Sequence, residues 1–207
     1  MDKQAMFRFG YGLYVLTTAE GQFDNGCIIN TAIQVTSAPN RILIAVNKQN
    51  KTHDMIMASR KFNVSMIAEN ATFELFRHFG FQSGNNVDKF AGYTECARSE
   101  NGLYYITGQT NAYVSGSVIQ TIDMDTHTIF IADVTEAKIL SDVPTATYTY
   151  YQEHIKPKPE APKQTTKTTW VCKVCGYVYE GDTLPEDFVC PICKHGAADF
   201  EKVEATV

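Results

Sequence analysis

The sequence predicts a mainly β body, closed into a barrel or sandwich, followed by a tether and a small tail stapled by metal. Three observations carry this prediction. Residues 1–155 are a succession of β-branched and aromatic runs punctuated by Gly, Asn, Asp and Pro. A proline- and lysine-rich stretch then interrupts the chain before Trp170. Beyond it, four of the six cysteines fall between Cys172 and Cys193.

In the body, GLYVLTT, GCIINTAIQVTS, RILIAVNK and KFNVSMI read as strands. AYVSGSVIQTI and HTIFIADVTEAKIL, separated by the polar DMDT, read as a hairpin. Two helices are expected among them. One covers THDMIMASR, with Thr52 as its N-cap and Met55, Ile56 and Met57 as its apolar face. The other covers ATFELFRHF, where Phe73, Phe76 and Phe79 recur at a spacing of three. No internal repeat is visible. Cys27 and Cys96 stand alone and read as small buried hydrophobes.

The stretch KPKPEAPKQTTKT holds Pro157, Pro159 and Pro162 and no large apolar residue, so it has nothing to bury. Alternating prolines favour an extended chain, at about 3.1 Å per residue a reach of up to roughly 40 Å. The predicted divisions are therefore a body at 1–155, a tether at 156–167 and a tail at 168–207.

Composition narrows the function classes. At 44% hydrophobic and 20% charged, the chain has enough apolar material for a real core. A net charge of −5 argues against a nucleic-acid binder, which needs a basic face for phosphates. MDKQAMFRFG has no apolar run of the secretory kind and no later stretch is long enough to cross a bilayer, so a cytoplasmic location is expected. In a reducing compartment, paired cysteines point to metal or redox chemistry.

The tail pairs Cys172 with Cys175 and Cys190 with Cys193, fourteen residues apart. Each Cys-x-x-Cys can form a tight knuckle with backbone N–H groups aimed at the sulfurs. Two knuckles together make a tetrahedral sulfur site for iron or zinc. A domain of roughly 38 residues cannot stabilise itself by burial alone, so the metal is also its staple. Spacing leaves the choice of metal open.

The wider wording resembles rubredoxin: Cys-x-x-Cys-Gly-Tyr, then Phe-Val-Cys-Pro-x-Cys, with Trp170 before and Phe200 after. The resemblance spans residues 168–203 and implies one iron on the four cysteines. Trp170, Tyr177, Phe188 and Phe200 would then form a water-excluding aromatic shell, one of the levers on an iron potential. Its gap between knuckles is similar to the compact version found in multidomain redox proteins. Lys194 departs from the pattern, since the second knuckle usually carries Gly there.

The body also resembles a family. Asn30-Thr31-Ala32, Gln34-Val35-Thr36-Ser37, Pro39, Asn47-Lys48, Lys51-Thr52, Val87-Asp88-Lys89-Phe90 and His127-Thr128-Ile129-Phe130 look like the FMN-binding split-barrel flavin reductases, above all their flavoredoxin-like branch. The resemblance implies a Greek-key split β-barrel with few helices. It also implies FMN held by Asn30, Thr31, Ala32, Gln34, Val35, Thr36, Ser37, Asn47, Lys48, Lys51, Thr52, Asp88 and Lys89. Read as residues alone, Thr31, Thr36 and Ser37 are equally ordinary strand and turn positions. Lys48 and Lys51 are equally a solvated turn, although a helix N-terminus there would favour a phosphate. No GxGxxG or GxxxxGK[ST] occurs, which removes the Rossmann and P-loop readings. The matching histidine of the family lies on the nicotinamide side of the flavin, which implies that role for His127. The chain has Asp125-Thr126 before it where relatives commonly have Gly-Asp, so a structural role stays open.

A nicotinamide gives two electrons at once and an iron–thiolate centre takes one, so a flavin between them converts one currency into the other. Such fusions resemble the high-molecular-weight rubredoxins. That resemblance implies NAD(P)H as donor, a flavodiiron protein of anaerobes as protein acceptor, and a homodimer with flavin near the subunit interface. Two other readings remain at this point. One is a flavoredoxin-like carrier reduced by another protein, and the other is a zinc-ribbon interaction module on a β-barrel with no redox role.

Overall fold

The computed structural model describes residues 2–158, 166–181 and 183–206, in two compact units, Met1–Pro157 and Lys158–Val207. Most of the predicted tether, 159–165, lies outside the described residues.

The body is built from nine strands: β1 Tyr14–Glu20, β2 Phe23–Ile29, β3 Ala32–Ser37, β4 Asn40–Asn47, β5 Lys61–Ile67, β6 Cys96–Arg98, β7 Tyr104–Ile106, β8 Thr110–Met124 and β9 His127–Ile139. Seven of them form one antiparallel sheet in the order β2-β1-β5-β8-β9-β4-β3, while β6 and β7 make a separate hairpin. β2 and β3 are consecutive in sequence yet sit at opposite ends of that order. Only Asn30 and Thr31 connect them, and two residues span less than about 10 Å. The sheet must therefore roll until its edges meet, without hydrogen bonds across the seam. This is a split barrel.

Rolling needs curvature, and the long β8–β9 ladder supplies it through register shifts at Ser115/Gly116 and Val118/Gln120. Gly116 sits where a Cβ would run into the Phe62 ring and the Ala132 methyl, so the bend and the core packing both require its small size.

Alternating residues fill the barrel: Leu16 from β1, Ile42, Ile44 and Val46 from β4, Phe62 and Val64 from β5, Phe130 and Ala132 from β9. β1 and β5 lie mid-sheet and are covered on both faces, which is why Val15 and Leu16 are both buried. The outer cover is α2, Phe73–Gly80, whose Leu75, Phe76 and Phe79 pack with Val15, Ile67 and Ile106. A short helix, Tyr148–Tyr150, and a π turn, Tyr151–Ile155, add Tyr151 to the same cluster.

The sequence reading needs four corrections here. GCIINTAIQVTS is two strands, because the seam falls inside it. Helix α1, Lys51–Ser59, is capped by Asn50, whose side chain accepts from the Thr52 N–H; Thr52 itself is buried in the first turn. Met55 and Ile56 are buried but Met57 is exposed, since three consecutive residues cannot share one helix face. The hairpin β6–β7 was not anticipated.

In the tail, β10 Thr166–Cys172 starts within the predicted tether and pairs with β11 Val178–Glu180 and β12 Phe200–Thr206. Among the described residues, no helix is long and apolar enough to cross a membrane.

Candidate functional site

The two knuckles of the tail share one backbone pattern. Gly176 N–H donates to Cys172 O at 2.9 Å, and Lys194 N–H to Cys190 O at 3.0 Å. Cys172 N–H donates to Tyr177 O at 2.9 Å, and Cys190 N–H to His195 O at 2.8 Å. Both loops end in a left-handed residue, Gly176 at φ 75° and Lys194 at φ 62°. The four Sγ atoms lie within 4.8 Å of one another and none is in a disulfide. Cys172–Cys193 and Cys175–Cys190 are 3.6 and 3.5 Å apart between sulfurs. A tetrahedral metal with bonds of about 2.3 Å sets its sulfurs about 3.8 Å apart, so this arrangement needs little adjustment to close on one ion.

The proton chemistry agrees. Burial works against the thiolates of Cys172 and Cys190. The N–H groups of Val174 and Cys175, and of Ile192 and Cys193, outweigh it and hold both thiols low, Cys190 at about 6. For Cys175 and Cys193 the N–H groups of Tyr177 and His195 pull the same way. Burial and the crowding sulfurs prevail and push both up. Four thiolates so close are therefore stable together only around a cation. Behind them Phe188 is the centre of the aromatic shell, 4.8 Å from Tyr179 and 5.3 Å edge-on from Phe200, with Trp170 against the same cluster.

The predicted body residues divide among several places. Lys51 and Asp88 line a groove of about 1000 Å³ with Asn25, Met55, Gly84, Asn85 and Asn86. Ala32 and Gln34 line a second cavity of about 530 Å³ with Tyr14 and Val134. Asn30 lines a third. On β3, one of the two outermost strands, Val35 and Ser37 are exposed and Thr36 is half-buried, as is Thr31 just before it. Asn47 and His127 are paired across β4 and β9. Beside them Lys48 is held by both carboxylate oxygens of Asp123 at 2.7 Å. His127 Nδ1 lies 2.9 Å from Thr126 Oγ1.

Two predicted residues are used internally. Thr52 is fully buried and accepts from Asn25 Nδ2 at 3.1 Å. Lys89 is 2% exposed, and its ammonium donates to the carbonyls of Gly26 at 2.8 Å and Phe79 at 2.9 Å. It fastens the groove wall rather than presenting its charge to the groove. Asp88 shapes the same loop by accepting from the N–H groups of Phe90 and Ala91.

Asn25 and the 84–87 loop, which line the groove, are not among the site residues expected from the sequence. Asn25 is a polar side chain buried in β2 next to the charged Asp24, so the sequence pattern does not single it out. The groove is polar, with one lysine, Lys51, and three acidic side chains, Glu20, Asp24 and Asp88, in its lining. Asn25, Lys51, Asn85 and Asn86 offer donors, α1 begins at its edge, and a Cβ on Gly84 would meet the Asn25 side chain, which keeps that wall close and flat. Asp24, which also lines it, is neutralised by Arg98 at 2.7 Å.

Residues 6–159 match the model of the flavin reductase like domain. The chain belongs to that family. Residues 170–201 match the rubredoxin-like domain of rubrerythrin. The high molecular weight rubredoxin of Moorella thermoacetica is 37% identical, aligned over 98% of this chain and 100% of its own length. The ferric-chelate reductase (NAD(P)H) of Archaeoglobus fulgidus is 32% identical over 80% of this chain and 96% of its own. Among solved structures, the NADH:FAD oxidoreductase SgcE6 of Streptomyces globisporus C-1027 matches with a TM-score of 0.64 at 23% identity, covering 78% of this chain and 92% of that one, a likeness of fold. The flavin reductase-like chain is thus of the high molecular weight rubredoxin kind, an electron-transfer protein with a flavin domain and a four-cysteine iron domain.

Proposed function

We propose that this protein takes electrons from NAD(P)H on its flavin domain, passes them to the tail iron, and delivers them singly to a protein acceptor such as a flavodiiron protein. The observation that carries the reading is the four-sulfur site joined to a flavin reductase-like body in one chain. Bound FMN supplies the conversion between a two-electron hydride and one-electron transfer. The chain's own part is placement and exclusion of water. Lys51, Asn25 and the amide side chains of Asn85 and Asn86 hold the phosphate-bearing end in the groove. The β3 positions Ala32, Gln34, Val35, Thr36 and Ser37, with Asn30 and Thr31, hold the ring. His127 seats the nicotinamide.

The proposed site is shared between two copies. β3 exposes Ile33 and Val35, while β8 exposes Ile119, Ile122 and Met124, and apolar side chains so placed suit burial against a second barrel. The predicted ring and phosphate positions fall in separate cavities of one copy, which a partner copy would complete.

An anaerobic visible spectrum before and after NADH tests the donor step. The flavin band should bleach first and the ferric band next. A flavin that stays oxidised under NADH and under NADPH, yet is reduced by dithionite, overturns the nicotinamide step and leaves a carrier charged by another protein. The Asp125-Thr126 lead into His127 favours that second reading.

A further inference from the structure

Tyr14, the first residue of β1, stands beside the seam of the barrel. It pairs with Ile29, the last residue of β2, and with Met66 of β5, and the short passage to Ala32 begins directly after Ile29. Its side chain packs against the barrel core and, with Ala32 and Gln34 of β3, lines the cavity of about 530 Å³. That cavity therefore lies across the seam, with β1 and β5 on one side and β3 and β4 on the other. Its walls include Ile42, Val64 and Val114, and no charged side chain is among its lining residues. A barrel mouth of this character, within the roughly 300–1,000 Å³ usual for small-molecule sites, suits a neutral ring and disfavours a phosphate.

Two features mark the phenol as more than wall. A Cβ on Gly12 would run into the Tyr14 hydroxyl and the ring carbon that bears it, so the ring lies where it does because residue 12 is glycine. Gly12 has no left-handed angle, so space and not backbone freedom accounts for it. Among the described residues, the Tyr14 hydroxyl has no hydrogen-bond partner. Burial raises this phenol above its usual range, so it is a protonated donor at neutral pH. A half-buried donor with no acceptor in the protein, at an uncharged cavity, fits a ligand that brings the acceptor.

We propose that Tyr14 contacts the flavin ring, its phenol donating a hydrogen bond to a carbonyl oxygen of an isoalloxazine seated in this cavity, while Gly12 keeps open the space in which the phenol stands. The planar, uncharged ring matches the apolar walls, and its carbonyls supply the acceptor that the protein does not. The proposal rests on the flavin reading of the body, but not on the nicotinamide step or on the tail iron.

Lumiflavin, the ring without the ribityl phosphate, separates this contact from the phosphate site. Fluorescence titrations of the full chain with FMN and with lumiflavin measure both. Tyr14→Phe should weaken both flavins about fivefold, the loss of one neutral hydrogen bond. Lys51→Ala should weaken FMN and leave lumiflavin unchanged. Gly12→Ala keeps the hydroxyl but displaces it, and should weaken lumiflavin as Tyr14→Phe does. The visible bands of bound FMN respond to hydrogen bonds at the ring carbonyls. Read at saturation, they should move in Tyr14→Phe and stay in Lys51→Ala. Because the hydroxyl bonds to nothing in the protein, Tyr14→Phe should melt with wild type, so a weakened site is not a lost fold. A Tyr14→Phe chain that binds both flavins as tightly as wild type, with unmoved bands, overturns the proposal and leaves flavin binding by the body intact. A wild-type chain that takes up neither flavin overturns the flavin reading itself, and the proposal with it.

Discussion

Replacing Lys89 by methionine probes what holds the groove wall in place. The side chain is 2% exposed and its ammonium joins β2, through the Gly26 carbonyl, to the end of α2, through the Phe79 carbonyl. Methionine keeps most of the stem and removes the charge, so both buried carbonyls lose their donor. Each such loss costs about 1–3 kcal/mol, a gross loss of about 2–6 kcal/mol. Against it stands the cost of burying an ammonium, the same burial that pulls the Lys89 pKa down. The expected net loss is about 2–3 kcal/mol, or roughly 5–10 °C in melting temperature for a unit of this size. Urea unfolding of the full chain followed by far-ultraviolet circular dichroism, dominated by the body's strands, measures it. Flavin retention on gel filtration should fall in parallel, because Lys89 anchors the loop that brings Gly84, Asn85 and Asn86 to the groove. A variant as stable as wild type, or more so, would show that desolvation of the ammonium exceeds its two bonds, and the reasoning would fail.

Tyr93→Phe should stabilise the body by about 1 kcal/mol, since the hydroxyl is buried with no hydrogen-bond partner. Burial, helped by Glu95 and Cys96, raises this phenol well above 10.0, so its contribution holds below that value and is lost as pH rises past it. Tyr93→Phe should therefore also move alkaline unfolding to higher pH, and an unchanged alkaline midpoint would count against it. Stripping the tail metal with a strong chelator should free Cys172, Cys175, Cys190 and Cys193 to a thiol reagent and red-shift the emission of Trp170, the single tryptophan. Buried Cys27 should stay protected and the body's dichroism unchanged; loss of the body's signal would refute independent folding of the two units.

The strands and the metal site were legible because each depends on nearby residues. Period-two burial in β4 and the twin Cys-x-x-Cys need only local spacing. What escaped depends on distant partners. Nothing in GCIINTAIQVTS marks Asn30 as the seam; that follows from which strands β2 and β3 pair with, β1 and β4 respectively. Thr52 is a fair N-cap by residue type, but Asn50 sits one turn-start earlier and takes the role. Lys89 beside Asp88 reads as a surface ion, and only the packing of α2 against β2 draws it inward. Lys194 was legible as an exception, and its backbone angle gave the exception a physical meaning.

The two-residue passage from β2 to β3 also decides where the barrel yields. Every other neighbour in the main sheet is stitched by a ladder, but the seam is closed by side-chain packing and by the shortness of Asn30-Thr31. Under native hydrogen exchange, the outward amides of β2 and β3 should therefore trade with solvent long before those of β5 and β8. A few glycines inserted after Asn30 would lengthen the hinge of that door without touching a single ladder bond.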